Sequence, residues 1–217
     1  MVPTASRARA SRQVAARVAA ATAAACTVLG VVAVTVAVVA GPGPGLTGYV
    51  SEAGIAGSGY APLYRAGVFA LAAALLLLAV ALPETLRPAA GLLAAGSLCT
   101  VLSGAVTCSE GCPLPPFERT TVADLVHGGA SIAATACVVF AMAALAVAPR
   151  TPRRWRRLAA GAFVLALPLA GAVALAMLTV GRGTLVGVLE RIVLALAAGW
   201  VLVTAIARAS TRIDTRR

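Results

Sequence analysis

The chain has 217 residues, of which 60% are hydrophobic and 12% charged, with a formal net charge of +11 and a mean hydropathy of +0.95. So little polar surface excludes a soluble domain of this length, and so much apolar surface excludes disorder. All 18 basic residues are arginine, gathered in short clusters between apolar runs. That distribution points to membrane topology and anionic lipid head groups as partners, not to nucleic acid. The lack of lysine, beside so much Ala, Val and Gly, suggests a GC-rich genome.

Residues 1–17 read as a basic tail carrying Arg7, Arg9, Arg12 and Arg17. Six apolar runs follow, each near the roughly 20 residues that a helix needs to cross a hydrocarbon core of about 30 Å. The first covers 18–40. It exceeds the roughly 7–15 apolar residues of a signal peptide, so a retained helix is expected. Gly41-Pro42-Gly43-Pro44-Gly45 ends it. The second covers 63–82 and the third 88–106, separated by Pro83 and Pro88. A loop with Cys108, Cys112, Pro113, Pro115 and Pro116 leads to the fourth, 122–148, which is longer than a crossing needs. Thr121 and Asp124 have the spacing of a capping box and mark its start. Pro149 and Pro152 precede the fifth span, 158–180, which holds Pro168; the sixth is 184–207. Lipid offers a backbone no hydrogen-bond partners, so each span must be helical. The expectation is an all-α polytopic membrane protein: a six-helix transmembrane domain over 18–208 and a basic tail over 209–217.

Arginine placement sets the orientation. One face of the membrane receives 14 arginines, in both tails, at Arg87 and in the 150–157 segment RTPRRWRR. The other receives Arg65, Arg119, Arg182 and Arg191. Both termini are therefore expected in the cytoplasm, in a multi-pass protein of the plasma membrane (the bacterial inner membrane). RTPRRWRR reads as a topology anchor with an interfacial Trp155.

With that topology Glu52, Glu110, Glu118, Asp124 and Glu190 fall outside, beside the four outer arginines and His127, the only histidine. Asp124, His127, Ser131 and Thr135 recur at three- and four-residue steps and share one helix face. Glu190 and Arg191 lie about 9 Å inside the sixth span by helix rise. Charges at that depth are costly against lipid and are expected to turn inward and pair. The predicted result is an outward-facing polar pocket with Glu52, Asp124 and Glu190 as acids, Arg65 and Arg191 as bases, and His127 among them. The same cluster could instead hold the helices in register, or its charges could snorkel to the head groups.

Cys108 and Cys112, on the oxidising side, are expected to form a disulfide, with free thiols and a metal pair as alternatives. A Cys-x3-Cys pair with a single histidine falls short of a full zinc set. Cys26, Cys99 and Cys137 lie within spans as small packing residues. One histidine also excludes a bis-histidine haem protein and multi-histidine zinc hydrolases. A Ser–His pair of His127 with Ser97 or Ser103 has no nucleophile motif behind it. No Walker A or Rossmann fingerprint is present. No cofactor and no catalytic set is identified.

The run YVSEAGIAGSGYAPLYRAGVFALAAALLL from Tyr49, the ADLVHGGAS opening the fourth span and the GVLERIVLALAAGWVL of the sixth resemble the domain-of-unknown-function family DUF998. The resemblance spans about Val18 to Arg208. It implies a six-helix bacterial membrane protein without established activity. The matching positions are Ser51, Glu52, Gly54, Tyr60, Arg65, His127, Glu190 and Arg191. Three functions remain open: a site for a small molecule or lipid head group, serving transport, sensing or envelope maintenance; a non-catalytic scaffold or assembly partner; and an enzyme on lipid-linked substrates depending on His127. The oligomeric state is not readable, since small residues pack helices within a chain as well as between chains.

Overall fold

Six helices form where the apolar runs stand, as seen in a computed structural model that describes residues 4–41, 45–149 and 151–210. They are α1 (Thr4–Ala40), α2 (Ala61–Ala81), α3 (Arg87–Ala105), α4 (Val122–Val147), α5 (Arg153–Thr179) and α6 (Thr184–Ala209). There is no strand among the described residues. Each helix is long and apolar enough to cross a membrane, so the chain is a multi-pass membrane protein. Pro42, Gly43, Pro44, Arg150 and residues 211–217 lie outside the described residues. With them go the middle of the expected Gly-Pro breaker, Asp214, and the tail arginines Arg212, Arg216 and Arg217.

Two boundaries differ from expectation. α1 runs back to Thr4, so most of the expected basic tail continues the first helix. Ala and Arg are both strong helix formers and nothing in the segment breaks the turn. At 37 residues the helix is about 55 Å long, well beyond the hydrocarbon core. α5 begins at Arg153, taking in most of the RTPRRWRR segment, with Pro152 as its N-cap residue. Pro62 and Pro88 sit in the first turns of α2 and α3, where a missing N–H costs nothing.

Each helix packs on its neighbours in the chain, and α6 returns to α1, closing a ring; α6 also touches α2 and α4. The ring's interior is filled by Leu78, Leu93, Met142, Leu145 and Trp200 with many alanines. The outside is a coat of exposed Leu, Val, Ile and Phe, including Leu29, Val80, Leu98, Phe140, Val164 and Leu178, as lipid contact requires. α1 and α2 come close together at two glycines. A Cβ on Gly30 would lie 2.8 Å from the Gly67 carbonyl oxygen, and one on Gly67 would lie 3.0 Å from that of Gly30. Only two bare Cα atoms allow the backbones so near.

The bundle has two chemically distinct ends. At the arginine-rich end, Arg17 Nε donates to the Ala209 carbonyl (2.9 Å), Arg156 Nε to that of Ala146 (3.0 Å) and Arg208 Nε to that of Ala81 (2.7 Å). These carbonyls belong to the last turns of α6, α4 and α2, which have no intrahelical donors left. The arginines therefore cap three helix C-termini and complement their dipoles. At the arginine-poor end, the segments 45–60, 106–121 and 180–183 fold over the helix ends.

Candidate functional site

The site is built by three loops that turn their backbones toward charged side chains. The 45–60 segment holds two 3-10 turns, Gly45–Thr47 and Val50–Gly54. Glu52, only 5% exposed, receives the Tyr49 N–H at 2.9 Å. It also receives a two-pronged bond from Arg182, Nε to Oε1 at 2.9 Å and Nη2 to Oε2 at 2.6 Å. The fork geometry matches guanidinium to carboxylate. Donating to the Glu52 carboxylate raises the Arg182 guanidinium above its usual pKa, and the Glu52 and Glu118 charges add to this.

The charges of α6 grip the same segment. Glu190 Oε2 accepts from the Val50 N–H at 3.0 Å. Arg191 Nη1 donates to the carbonyls of Gly48 (2.9 Å) and Gly187 (2.7 Å), and Nη2 to that of Gly45. Tyr49, buried between these elements, has its phenol pushed above the ordinary pKa of 10.0, first by burial and then by the carboxylates of Glu190, Glu118 and Glu52. That phenol stays neutral at physiological pH.

On α4 the capping box forms as the spacing predicts. Thr121 Oγ1 accepts from the Asp124 N–H at 3.2 Å, while Asp124 Oδ2 accepts from the Thr121 N–H at 2.8 Å. Asp124 is 1% exposed and takes three further bonds, from Ser109 N–H (2.7 Å), Ser109 Oγ (2.8 Å) and Thr121 Oγ1 (2.7 Å). It thus ties the cysteine loop to the helix start. One turn deeper, His127 Nδ1 lies 2.8 Å from the carbonyl oxygens of both Ser103 and Val106. Neither can donate, so Nδ1 carries the proton. Ser131 Oγ and Ser103 Oγ are 2.8 Å apart, Ser131 Oγ also donates to the His127 carbonyl, and Thr135 Oγ1 bonds the Ser131 carbonyl. The polar stripe on α4 therefore faces the end of α3. Because Nδ1 is a donor, it cannot take a proton from Ser103, 3.5 Å away, and Ser97 is already bonded to the Ala72 carbonyl at 2.8 Å. Neither serine is an activated nucleophile.

Cys108 and Cys112 stand within disulfide distance, their Cα atoms 5.0 Å apart. They are buried with Tyr49, Ala176 and Val186, and the Ser51 hydroxyl donates to Cys112 Sγ at 3.3 Å. Cys26, Cys99 and Cys137 are free.

The predicted site residues thus share one end of the bundle, but their charges are balanced differently from the expected mutual pairing. Among the described residues the ion pairs are Glu52 with Arg182 and the exposed Glu84 with Arg87. Asp124, Glu190 and Arg191 are satisfied by loop backbone and hydroxyls, which the folded-over segments bring closer than any opposite charge. Arg65 forms no ion pair among the described residues, and its Nε is buried without a hydrogen-bond partner. Arg182 is the residue that sequence reasoning left out of the cluster. Its signal was present: an arginine against the charge bias, held between Gly181 and Gly183 in a short turn.

At the arginine-rich end, a cavity of 290 Å³ opens between α4, α5 and α6, walled by Leu145, Arg154, Trp155, Leu158, Val203 and Thr204. Thr204 Oγ1 is buried there without a partner.

No curated protein and no solved structure matches the chain. A family model described as "Protein of unknown function (DUF998)" matches residues 24–207. That range takes in all but the first part of α1, the last residues of α6 and the tail, and includes every residue of the cluster above. The chain belongs to the DUF998 family.

Proposed function

We propose that the arginine-poor end faces outward from the plasma membrane, with both termini in the cytoplasm, and binds a small anionic molecule or a lipid head group. The role that follows is transport, sensing or envelope maintenance. Arg65 carries the reading: it is a cation at the start of α2 whose buried Nε has no partner and which has no acid within ion-pair distance among the described residues. A buried donor left unbonded costs about 1–3 kcal/mol, and an anion seated at this end would recover it. Glu52, Glu190, Arg191, Asp124 and His127 hold the loops at the same end through backbone hydrogen bonds. Membrane lipids are the second partner. The cavity beside Arg154 and Trp155 suits an acyl chain, with the guanidinium at the level of an anionic head group.

The test uses purified protein in detergent, with thermal unfolding followed in the presence of inorganic phosphate, a small dicarboxylate or phosphatidylglycerol. At least one probe should raise the melting temperature of the wild type and leave Arg65→Gln unmoved. Equal responses in the two proteins, or no response to any probe, overturn the reading.

A scaffold or assembly role is the second reading, favoured by how fully Glu52, Asp124 and Arg191 are engaged in holding loops. It predicts that Glu52 and Asp124 variants lose stability while no probe binds.

A further inference from the structure

In the sequence the Cys-x3-Cys pair and the only histidine are 15 residues apart at the nearest, and three donors in such an arrangement do not read as a metal set. Folding changes their relation. The capping box starts α4 so that His127, one turn in, meets the loop leaving α3. The ligand atoms of Cys108, Cys112 and His127 then lie within 4.8 Å of one another. The three residues are 5%, 5% and 6% exposed.

The histidine is prepared for coordination. With Nδ1 donating toward the Ser103 and Val106 carbonyls, Nε2 is the ring nitrogen left to coordinate a metal. A neutral imidazole anchored through one N–H on backbone carbonyls is how a metal-ligating histidine is oriented. Cys112 is held at φ 47° after Gly111 at φ 79°, so two consecutive left-handed residues fold the loop back on itself. A residue with a side chain seldom adopts that conformation, and where it does the site is often functional. The Ser51 hydroxyl adds an oxygen 3.3 Å from Cys112 Sγ.

We propose that Cys108, Cys112 and His127 are a redox-gated site for a thiophilic divalent cation of the Zn²⁺ type. Two thiolates and Nε2 fill three tetrahedral positions, and water or the Ser51 hydroxyl fills the fourth. As a disulfide the sulfurs offer no thiolate, and the cation is excluded. Loading begins when an external dithiol gives two electrons and two protons to the disulfide and becomes a disulfide itself. The S–S bond is replaced by two S–H groups. Zn²⁺ then displaces both thiol protons to water as two Zn–S bonds and one Zn–N bond form. The site would report the thiol status of the compartment it faces, independently of any anion held at Arg65.

The full chain in lipid nanodiscs, reduced with a phosphine that does not ligate metal, exposed to Zn²⁺ and desalted, should retain one zinc per chain. The oxidised chain and Cys108→Ser/Cys112→Ser should retain almost none. His127→Gln, which keeps a hydrogen-bonding side chain, should weaken zinc binding by about tenfold or more. Zinc-edge absorption on the reduced wild type should show two sulfurs and at least one imidazole, an outcome that does not depend on whether the histidine variant folds. Retention of zinc by the double-serine variant equal to that of the reduced wild type overturns the proposal. So does a zinc shell without imidazole, or unchanged affinity in folded His127→Gln.

Discussion

Glu52 and Glu84 show, residue against residue, what burial does to an ion pair. Glu84 and Arg87 are 3.9 Å apart with both side chains about four-fifths exposed, so water and salt screen their attraction. Glu52 is enclosed and Arg182 reaches it with two bonds while its own side chain remains 38% exposed. Arg182→Ala leaves a buried carboxylate with only the Tyr49 N–H. It should lower stability by about 1–3 kcal/mol, the lower part of the range for a lost charged partner because the arginine is itself partly solvated. Arg87→Ala should change nothing measurable. Thermal unfolding of the two variants in the same detergent checks the contrast. This pairing was the least legible feature of the sequence, since its partners are 130 positions apart and only the fold of the 45–60 segment joins them. The same holds for His127 and the cysteines. Periodicity finds which residues share a helix face, but it says nothing of which loop will lie across that face.

Helix starts and ends were far more readable, because local chemistry decides them. Thr121 and Asp124 announce the start of α4 by spacing alone, and the capping box forms there. Asp124 then does more than cap, taking both donors of Ser109 as well. Asp124→Ala leaves the Ser109 and Thr121 N–H groups without this acceptor and frees the cysteine loop. Its cost should exceed that of Thr121→Ala, which removes the hydroxyl's two bonds with Asp124, a cap worth about 1 kcal/mol. Chemical or thermal unfolding of both variants decides it; an equal loss would mean that Asp124 acts only as a cap. The extension of α1 to Thr4 was not read, because hydropathy marks where a helix enters lipid and not where it stops in water. The arginines of the rich end carried a topology signal in the sequence. In the fold, three of them also close the ends of α2, α4 and α6, a role that needs the ring to be assembled before it exists.

For the whole molecule, the number and order of spans followed from one physical requirement: hydrocarbon accepts only self-bonded backbone about 20 residues at a time. The proposed orientation rests on arginine bias and is open to direct test. In a chain without native cysteines, Glu110→Cys should react with a membrane-impermeant maleimide in intact cells, and Arg154→Cys only after permeabilisation; the reverse pattern would invert the molecule. That the charges would avoid lipid was expected from the cost of placing them there. That the loops, more than opposite charges, satisfy them was not, because an apolar sequence hides how much backbone its short connections can deliver.

Arg65 has no acid within ion-pair distance among the described residues and a buried Nε without a hydrogen-bond partner, and a ligand at that end is the claim on which the function rests. Native mass spectrometry of gently extracted protein tests it most directly. The wild type should retain a small anionic molecule or an anionic lipid that Arg65→Gln, extracted identically, has lost. An identical adduct on both proteins, or none on either, would contradict the account.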